Sequence, residues 1–165
     1  MLSEALFING VYEAVLQEVI QIQSVLPEYI LFLQPFSSRP MVVLRDKQPS
    51  ADMPMRLFMS LTTDLSHVHY EGEIVGWDDK RLLSGQKRAE LTRIIQALQP
   101  KEPGLYDASP AGEPSLNLLH VRRVRKLNPP FGVERLIKIR DDEPLSSGRT
   151  RAGGWAYVQS QISTP

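Results

Sequence analysis

The chain has 165 residues and contains no cysteine. Disulfides, thiolate metal sites and cysteine nucleophiles are therefore excluded, and this composition is compatible with a reducing cytosol. Net charge is absent too, because 19 basic residues balance 19 acidic ones. With 42% hydrophobic and 23% charged residues, the composition is typical of a globular protein. We expect residues 1–165 to form a single domain.

Long hydrophobic runs are missing as well. The longest apolar-leaning stretch, residues 25–36, is too short to span a membrane and is interrupted by Pro27, Glu28, Gln34 and Pro35. The first ten residues have neither a basic region nor a small-residue cleavage site, so we expect no secretory signal. The sequence therefore predicts a cytoplasmic protein that does not enter a membrane.

Motifs for catalysis or cofactor binding are also missing. The chain has no Walker A motif, no dinucleotide fingerprint and no G-x-S-x-G elbow. The paired carboxylates at 78–79 and 141–143 are typical of turns that flank strands. We therefore expect no cofactor, and the sequence favours a role other than catalysis.

Two helices are indicated by apolar residues at three- and four-residue steps. The first lies between residues 9 and 23, so that residues 1–24 form an N-terminal amphipathic helix that ends before Pro27. The second begins at Ser84 and ends before Pro100. A Pro- and Gly-rich stretch at 100–115 is typical of an exposed loop.

Short runs rich in apolar residues, separated by polar clusters, predict strands. They lie at residues 29–36, 41–46, 55–63, 67–77, 116–127, 133–139 and 154–162. Their order does not alternate with helices, which disfavours a doubly wound parallel sheet. We expect an α+β fold, a small mixed sheet or partly closed β-barrel with two inserted helices, whose barrel-like core covers residues 28–160.

Residues 116–140 hold the strongest functional signal, because seven basic residues stand there against one acidic residue. The last third of the chain, residues 115–165, has nine bases and four acids and is therefore net +5. Strict alternation places Arg123 and Arg125 on one side of the strand and Arg122 and Lys126 on the other. Such a cluster can neutralise phosphates. The alternative is a solvated edge strand whose charges prevent aggregation.

A second candidate site lies at residues 148–158. Arg149 and Arg151 precede two glycines, and together they are suited to hold an anion. Trp155 and Tyr157 alternate onto one face, where a base can stack. The alternative is that Trp155 belongs to the core and the glycines form a plain turn.

A third candidate is the strand HVHYEGEIVGW at 67–77. His67 and His69 project from one face together with Glu71 and Glu73, and two more acids follow at positions 78–79. This combination indicates either a metal site, which a hydrolase would need, or simply a polar sheet face. On the other face, glycines inside the strand indicate a bulge or a close approach. Tyr70 and Trp77 are candidates for lining a pocket there.

The order of helix, strands, aromatic strand HYEGEIVGW, helix, basic strand VRRVRKLNPP and closing strand GWAYV resembles the PUA-like superfamily, particularly its EVE, ASCH and YTH-type members. The resemblance covers about residues 28–160. It implies a small barrel that binds nucleic acid and reads a modified or flipped base in an aromatic pocket.

Together these features predict a nucleic-acid binding domain, for RNA or DNA. The expected phosphate contacts are Arg122, Arg123, Arg125, Lys126, Arg149 and Arg151. The expected base pocket uses Tyr70, Trp77, Trp155 and Tyr157. The alternative is a protein-interaction module, similar in role to an immunity or antitoxin partner, that docks through the N-terminal helix.

Overall fold

A computed structural model describes residues 1–35, 39–79, 82, 84–98, 117–146 and 154–164. The elements in chain order are β1 (Glu4–Val11), α1 (Glu13–Gln23), β2 (Leu31–Leu33), α2 (Arg39–Lys47), β3 (Met55–Leu61), β4 (Asp64–Asp78), α3 (Gly85–Leu98), β5 (Leu118–Gly132), a 3-10 helix (Val133–Arg135) and β6 (Gly154–Gln159). No helix in the described part of the chain is both long and apolar enough to cross a membrane.

The strands form one sheet in the order β2-β5-β4-β3-β1-β6. β1 pairs with β3 in parallel, and every other neighbouring pair is antiparallel. The sheet curls into a half-barrel, which confirms the predicted α+β class with a small mixed sheet or partly closed barrel.

Side chains that alternate along the strands build one core on each face of the sheet. On the first face, called here the helical face, Leu6 and Ile8 pack with the buried sides of α1 and α2. On the opposite face, Ala5 and Phe7 pack with buried residues of the segment 131–145. β1 is therefore buried on both faces, although it lies next to the edge strand β6 in the sheet.

The structure corrects three sequence expectations. The predicted strand at 41–46 is part of α2, because Met41 and Leu44 are spaced to bury one helical side against the core. The predicted strand at 133–139 is a 3-10 turn followed by isolated bridges. Residues 4–11, which were predicted as part of the N-terminal helix, form strand β1.

The other predicted elements agree with the structure, except in a part of the chain that it does not describe. The first helix, predicted between residues 9 and 23, is α1, which begins only at Glu13 since residues 9–11 belong to β1. The second helix is confirmed as α3, and β3, β4, β5 and β6 each overlap the range predicted for them. The predicted loop at 100–115 falls outside the described residues.

Candidate nucleic-acid interface

A β-bulge in β5 sets the geometry of the basic strand. Glu71 of β4 pairs with Arg125, but Glu73 pairs with Arg122, so two residues of β5 stand opposite Gly72 alone. Arg123 in the bulge has φ 53°, a left-handed conformation that costs a residue other than glycine about 1–2 kcal/mol. A Cβ on Gly72 would lie 2.8 Å from Val121 Cγ1, so any larger residue opposite the bulge would force Val121 to shift. The glycines of β4 predicted a bulge or a close approach; this bulge lies in the partner strand β5, and Val121 approaches Gly72 closely.

The bulge breaks the alternation that the sequence predicted for the arginines. Arg122 Nε donates to Glu73 Oε2 at 3.1 Å, and Arg123 Nη1 lies 3.6 Å from Oε1 of the same carboxylate. Two successive strand residues would normally point to opposite faces. Here both reach one glutamate, so Arg122 and Arg123 lie on the same side.

Arg125 joins this group through the next carboxylate along β4. Its guanidinium contacts Glu71, which is two residues from Glu73 and so on the same face. From β3, Arg56 donates to Glu71 through Nε at 3.0 Å and Nη2 at 2.7 Å. We call Arg56, Arg122, Arg123 and Arg125 the arginine row.

The glutamates lie beneath the arginine row. The Glu71 side chain is 8% exposed, whereas the Arg125 and Arg123 side chains are 67% and 56% exposed. Glu73 and Glu71 therefore contact the inner sides of the Arg123 and Arg125 guanidinium groups, whose outer sides face solvent. Each guanidinium has five N–H donors. Arg122 also donates to the Ala51 carbonyl oxygen and Arg56 to that of Ser160, so the donors available to an external anion are mainly those of Arg123 and Arg125.

The local charge of this face is small. Arg122 and Arg123 also contact Glu28, at 3.9 and 3.7 Å. Among the described side chains, four arginines therefore face three carboxylates, Glu28, Glu71 and Glu73, which leaves a net charge of +1. Any binding here depends on a few well-placed donors and not on a strong field.

Lys126 does not belong to the arginine row. Its Nζ lies 3.6 Å from a Glu13 carboxylate oxygen and 6.0 Å from the centre of the Tyr70 ring, on the helical face. Tyr70 is fully buried and donates from its hydroxyl to Glu13 at 2.9 Å. Burial, together with the hydrogen bond to Glu13, raises the pKa of Tyr70 to about 12. Tyr70 is therefore a core residue and has no exposed ring surface for a base.

The other predicted aromatic residues lie on the helical face as well. Trp155 and Tyr157 share one side of β6, as their spacing predicted, and both pack against the helical core. Trp77 packs against the same core near the far end of β4, opposite Leu119. From strand spacing and rise, Trp77 lies on the order of 20 Å from Trp155. Trp155 and Tyr157 thus lie together, but Trp77 does not converge with them, and none of the three lies with the arginine row.

Arg149 and Arg151 fall outside the described residues. Their expected role in holding an anion stays a prediction.

The histidine cluster forms around a different acid from those expected. Asp64 lies 2.9 Å from His69 Nε2 and 3.1 Å from His67 Nδ1. Burial tends to raise the pKa of Asp64, but hydrogen bonds from His69, His67 and Ser66 outweigh it and hold this pKa well below its usual range. In the part of the chain that the structure describes, no three His, Asp or Glu side chains are grouped to hold a metal ion. The contacts of Asp64 with His67 and His69 therefore stabilise the turn between β3 and β4.

Sequence reasoning missed two parts of this site. Glu71 and Glu73 were assigned to the histidines; their two-residue spacing placed both on one face of a strand, but the sequence did not show that this face lies beside the basic strand. Arg56 gave no signal, because it is a single cation far from the basic segment in sequence.

No protein-family model, curated protein or solved structure matches this chain. A curled mixed sheet is not enough to establish a PUA-like fold, so the resemblance stays a prediction.

Proposed function

We propose that this protein binds nucleic acid, RNA or DNA, through the arginine row, with Arg123 and Arg125 contacting phosphates. The observation that carries the proposal is the bulge, which turns Arg123 to the side of Arg122 and Arg125 at the cost of a left-handed backbone. Backbone strain of this kind is concentrated at functional sites. Arginine forks held from below suit bidentate recognition of phosphate.

The proposal concerns phosphate contacts and not the reading of a base, because Trp77, Trp155 and Tyr157 pack on the helical face. It includes a cytoplasmic location and a role without catalysis. With two exposed arginines and a net charge of +1, we expect weak binding with a shallow salt dependence. Two phosphate contacts give a slope of log affinity against log salt of about −1.4 on single strands and about −1.8 on duplexes.

The test is a fluorescence titration of single- and double-stranded RNA and DNA oligonucleotides at several salt concentrations. The variant is the double substitution Arg123→Ala and Arg125→Ala. It leaves both carboxylates paired, since Glu73 keeps Arg122 and Glu71 keeps Arg56. The control is Lys126→Ala, which removes one exposed cation from the other face.

We expect the double variant to lose measurable binding and the lysine variant to keep it. Because the double variant removes two charges, Arg123→Ala and Arg125→Ala are also measured singly against Lys126→Ala. Equal affinities for the single arginine and lysine variants would show that only overall charge matters, and no binding by the unmodified protein at low salt would reject the proposal.

A second candidate function is a protein-interaction module. The low net charge of the arginine row favours it, and so do Val25 and Leu26, which are exposed after α1. The apolar side of α1 itself is buried, so the docking surface would be the segment after the helix and not the helix face. Poly-glutamate is the discriminating probe: binding as tight as that of an oligonucleotide with equal charge supports an acidic protein partner.

A further inference from the structure

One member of the arginine row, Arg56, also lines a cleft. The cleft has a volume of about 560 Å³ and is lined by Met1, Leu2, Ser3, Glu4, Arg56, Ile139, Gln159, Ser160 and Gln161. This volume is in the usual range for small-molecule sites, about 300–1,000 Å³.

Arg56 is held rigidly where it meets the cleft. Its Nε and Nη2 donate to Glu71, and Nη1 donates to the carbonyl oxygen of Ser160 at 3.0 Å. Its guanidinium carbon also lies 4.9 Å from the centre of the Phe58 ring. These contacts use three of the five N–H donors and fix the plane of the group. The two other donors are therefore fixed in direction, which lowers the entropy lost when an anion binds.

The cleft has little competing charge. Its one carboxylate, that of Glu4, lies 3.4 Å from Lys47 Nζ and accepts a hydrogen bond from Ser3. Glu71 has Arg125 as a second cation, so Arg56 is not fully neutralised by it. Met1, Leu2 and Ile139 add apolar surface around the polar groups.

We propose that this cleft binds a small molecule that has one anionic group, a carboxylate or a phosphate monoester, on an apolar body. The anion accepts the two remaining Arg56 N–H donors, and the apolar body lies against Met1, Leu2 and Ile139. The site is separate from the exposed phosphate surface, since Arg123 and Arg125 lie on the other side of Glu71.

The test uses the full chain with ¹⁵N label and phenyl phosphate or benzoate as probes. Chemical shifts of the backbone amides of residues 139 and 159–161 are followed during titration. Benzyl alcohol is the neutral control, and inorganic phosphate tests the anion without the apolar body. Binding by only one of phenyl phosphate and benzoate identifies the anion that the cleft accepts.

Two variants make the test specific. Arg56→Lys keeps the positive charge but removes the two parallel N–H donors of the guanidinium group. We expect it to weaken binding about tenfold, the equivalent of one charge-assisted contact. Ser3→Trp places a large ring at the exposed rim of the cleft, away from the core, and we expect it to block binding without unfolding the protein.

Shifts at residues 139 and 159–161 that saturate, and that both variants reduce, support the proposal. An absence of shifts at these amides at millimolar probe overturns it, and so do shifts confined to residues 122–126. Failure here leaves the nucleic-acid proposal untouched, because the Arg123 and Arg125 variants test that proposal with a different ligand and a different readout.

Discussion

Replacing Glu71 with glutamine tests whether buried carboxylates support the arginine row. Glutamine has nearly the same shape as glutamate but no charge, and its amide NH₂ is a donor. In the unmodified protein, Glu71 Oε2 accepts two hydrogen bonds from Arg56, and Glu71 Oε1 contacts Arg125. In Glu71→Gln, an NH₂ group must face a guanidinium group, so a donor meets a donor.

The structure sets the size of the effect. Breaking a buried ion pair costs about 3–5 kcal/mol, because the remaining charge is left without its partner. Arg125 is 67% exposed and is rehydrated easily, so its contribution is small. Arg56 is 25% exposed and must lose most of its charge-assisted contact. We therefore expect Glu71→Gln to lower the free energy of unfolding by about 3 kcal/mol.

Urea denaturation followed by circular dichroism measures this change, with the m-value used to check that the unfolding transition is unaltered. The same loss should lower Tm by about 6–12 °C for a chain of this size. The matched control is Glu28→Gln, which removes a carboxylate that is 68% exposed. We expect the control to change stability by less than about 0.5 kcal/mol.

A loss below about 1 kcal/mol in Glu71→Gln would refute the reasoning, because it would place Glu71 among ordinary surface ion pairs. Equal losses in the two variants would do the same, since exposure would then not govern the cost.

Three further outcomes are expected. Because the pKa of Asp64 is lowered in the folded state, its contribution is present above the unfolded pKa of about 3.9 and is lost below it. In Asp64→Asn, the free energy of unfolding should thus fall less steeply than in the unmodified protein as the pH is lowered below about 3.9. Because the pKa of Tyr70 is raised in the folded state, its contribution to the free energy of unfolding is complete below about pH 10 and is lost as the pH approaches 12. The Tyr70→Phe variant should therefore lose less stability than the unmodified protein over this range. Gly72→Ala should cost about 1–3 kcal/mol in urea denaturation, since its Cβ meets Val121; an unchanged midpoint would contradict the bulge geometry.

Local patterns predicted the elements whose burial follows a simple period. Val15, Leu16 and Val19 of α1 are buried at helical spacing, and the apolar run of β3 was visible as a strand. The strand prediction for residues 41–46 was wrong because two adjacent valines favour a strand by propensity, whereas the packing of Met41 and Leu44 against the core stabilises a helix.

The candidate site was only partly predictable. The basic run itself is visible in the sequence, but the side on which each arginine lies depends on the bulge, which adds a residue and reverses the alternation. The neutralising glutamates come from β4, about fifty residues earlier, and Arg56 from β3. Such pairings arise from strand order, which no local pattern in the sequence contains.

The place of β1 in the sheet has a consequence for how the chain is made. β1 can pair with β3 once residue 61 has left the ribosome, but its other neighbour, β6, ends at residue 159. Until then, one side of a largely buried apolar strand has unsatisfied backbone groups, and such an edge readily joins another chain. A nascent chain that stalls between these two points is therefore expected to aggregate or to need a chaperone, and the sheet is completed only after residue 159 has been synthesised.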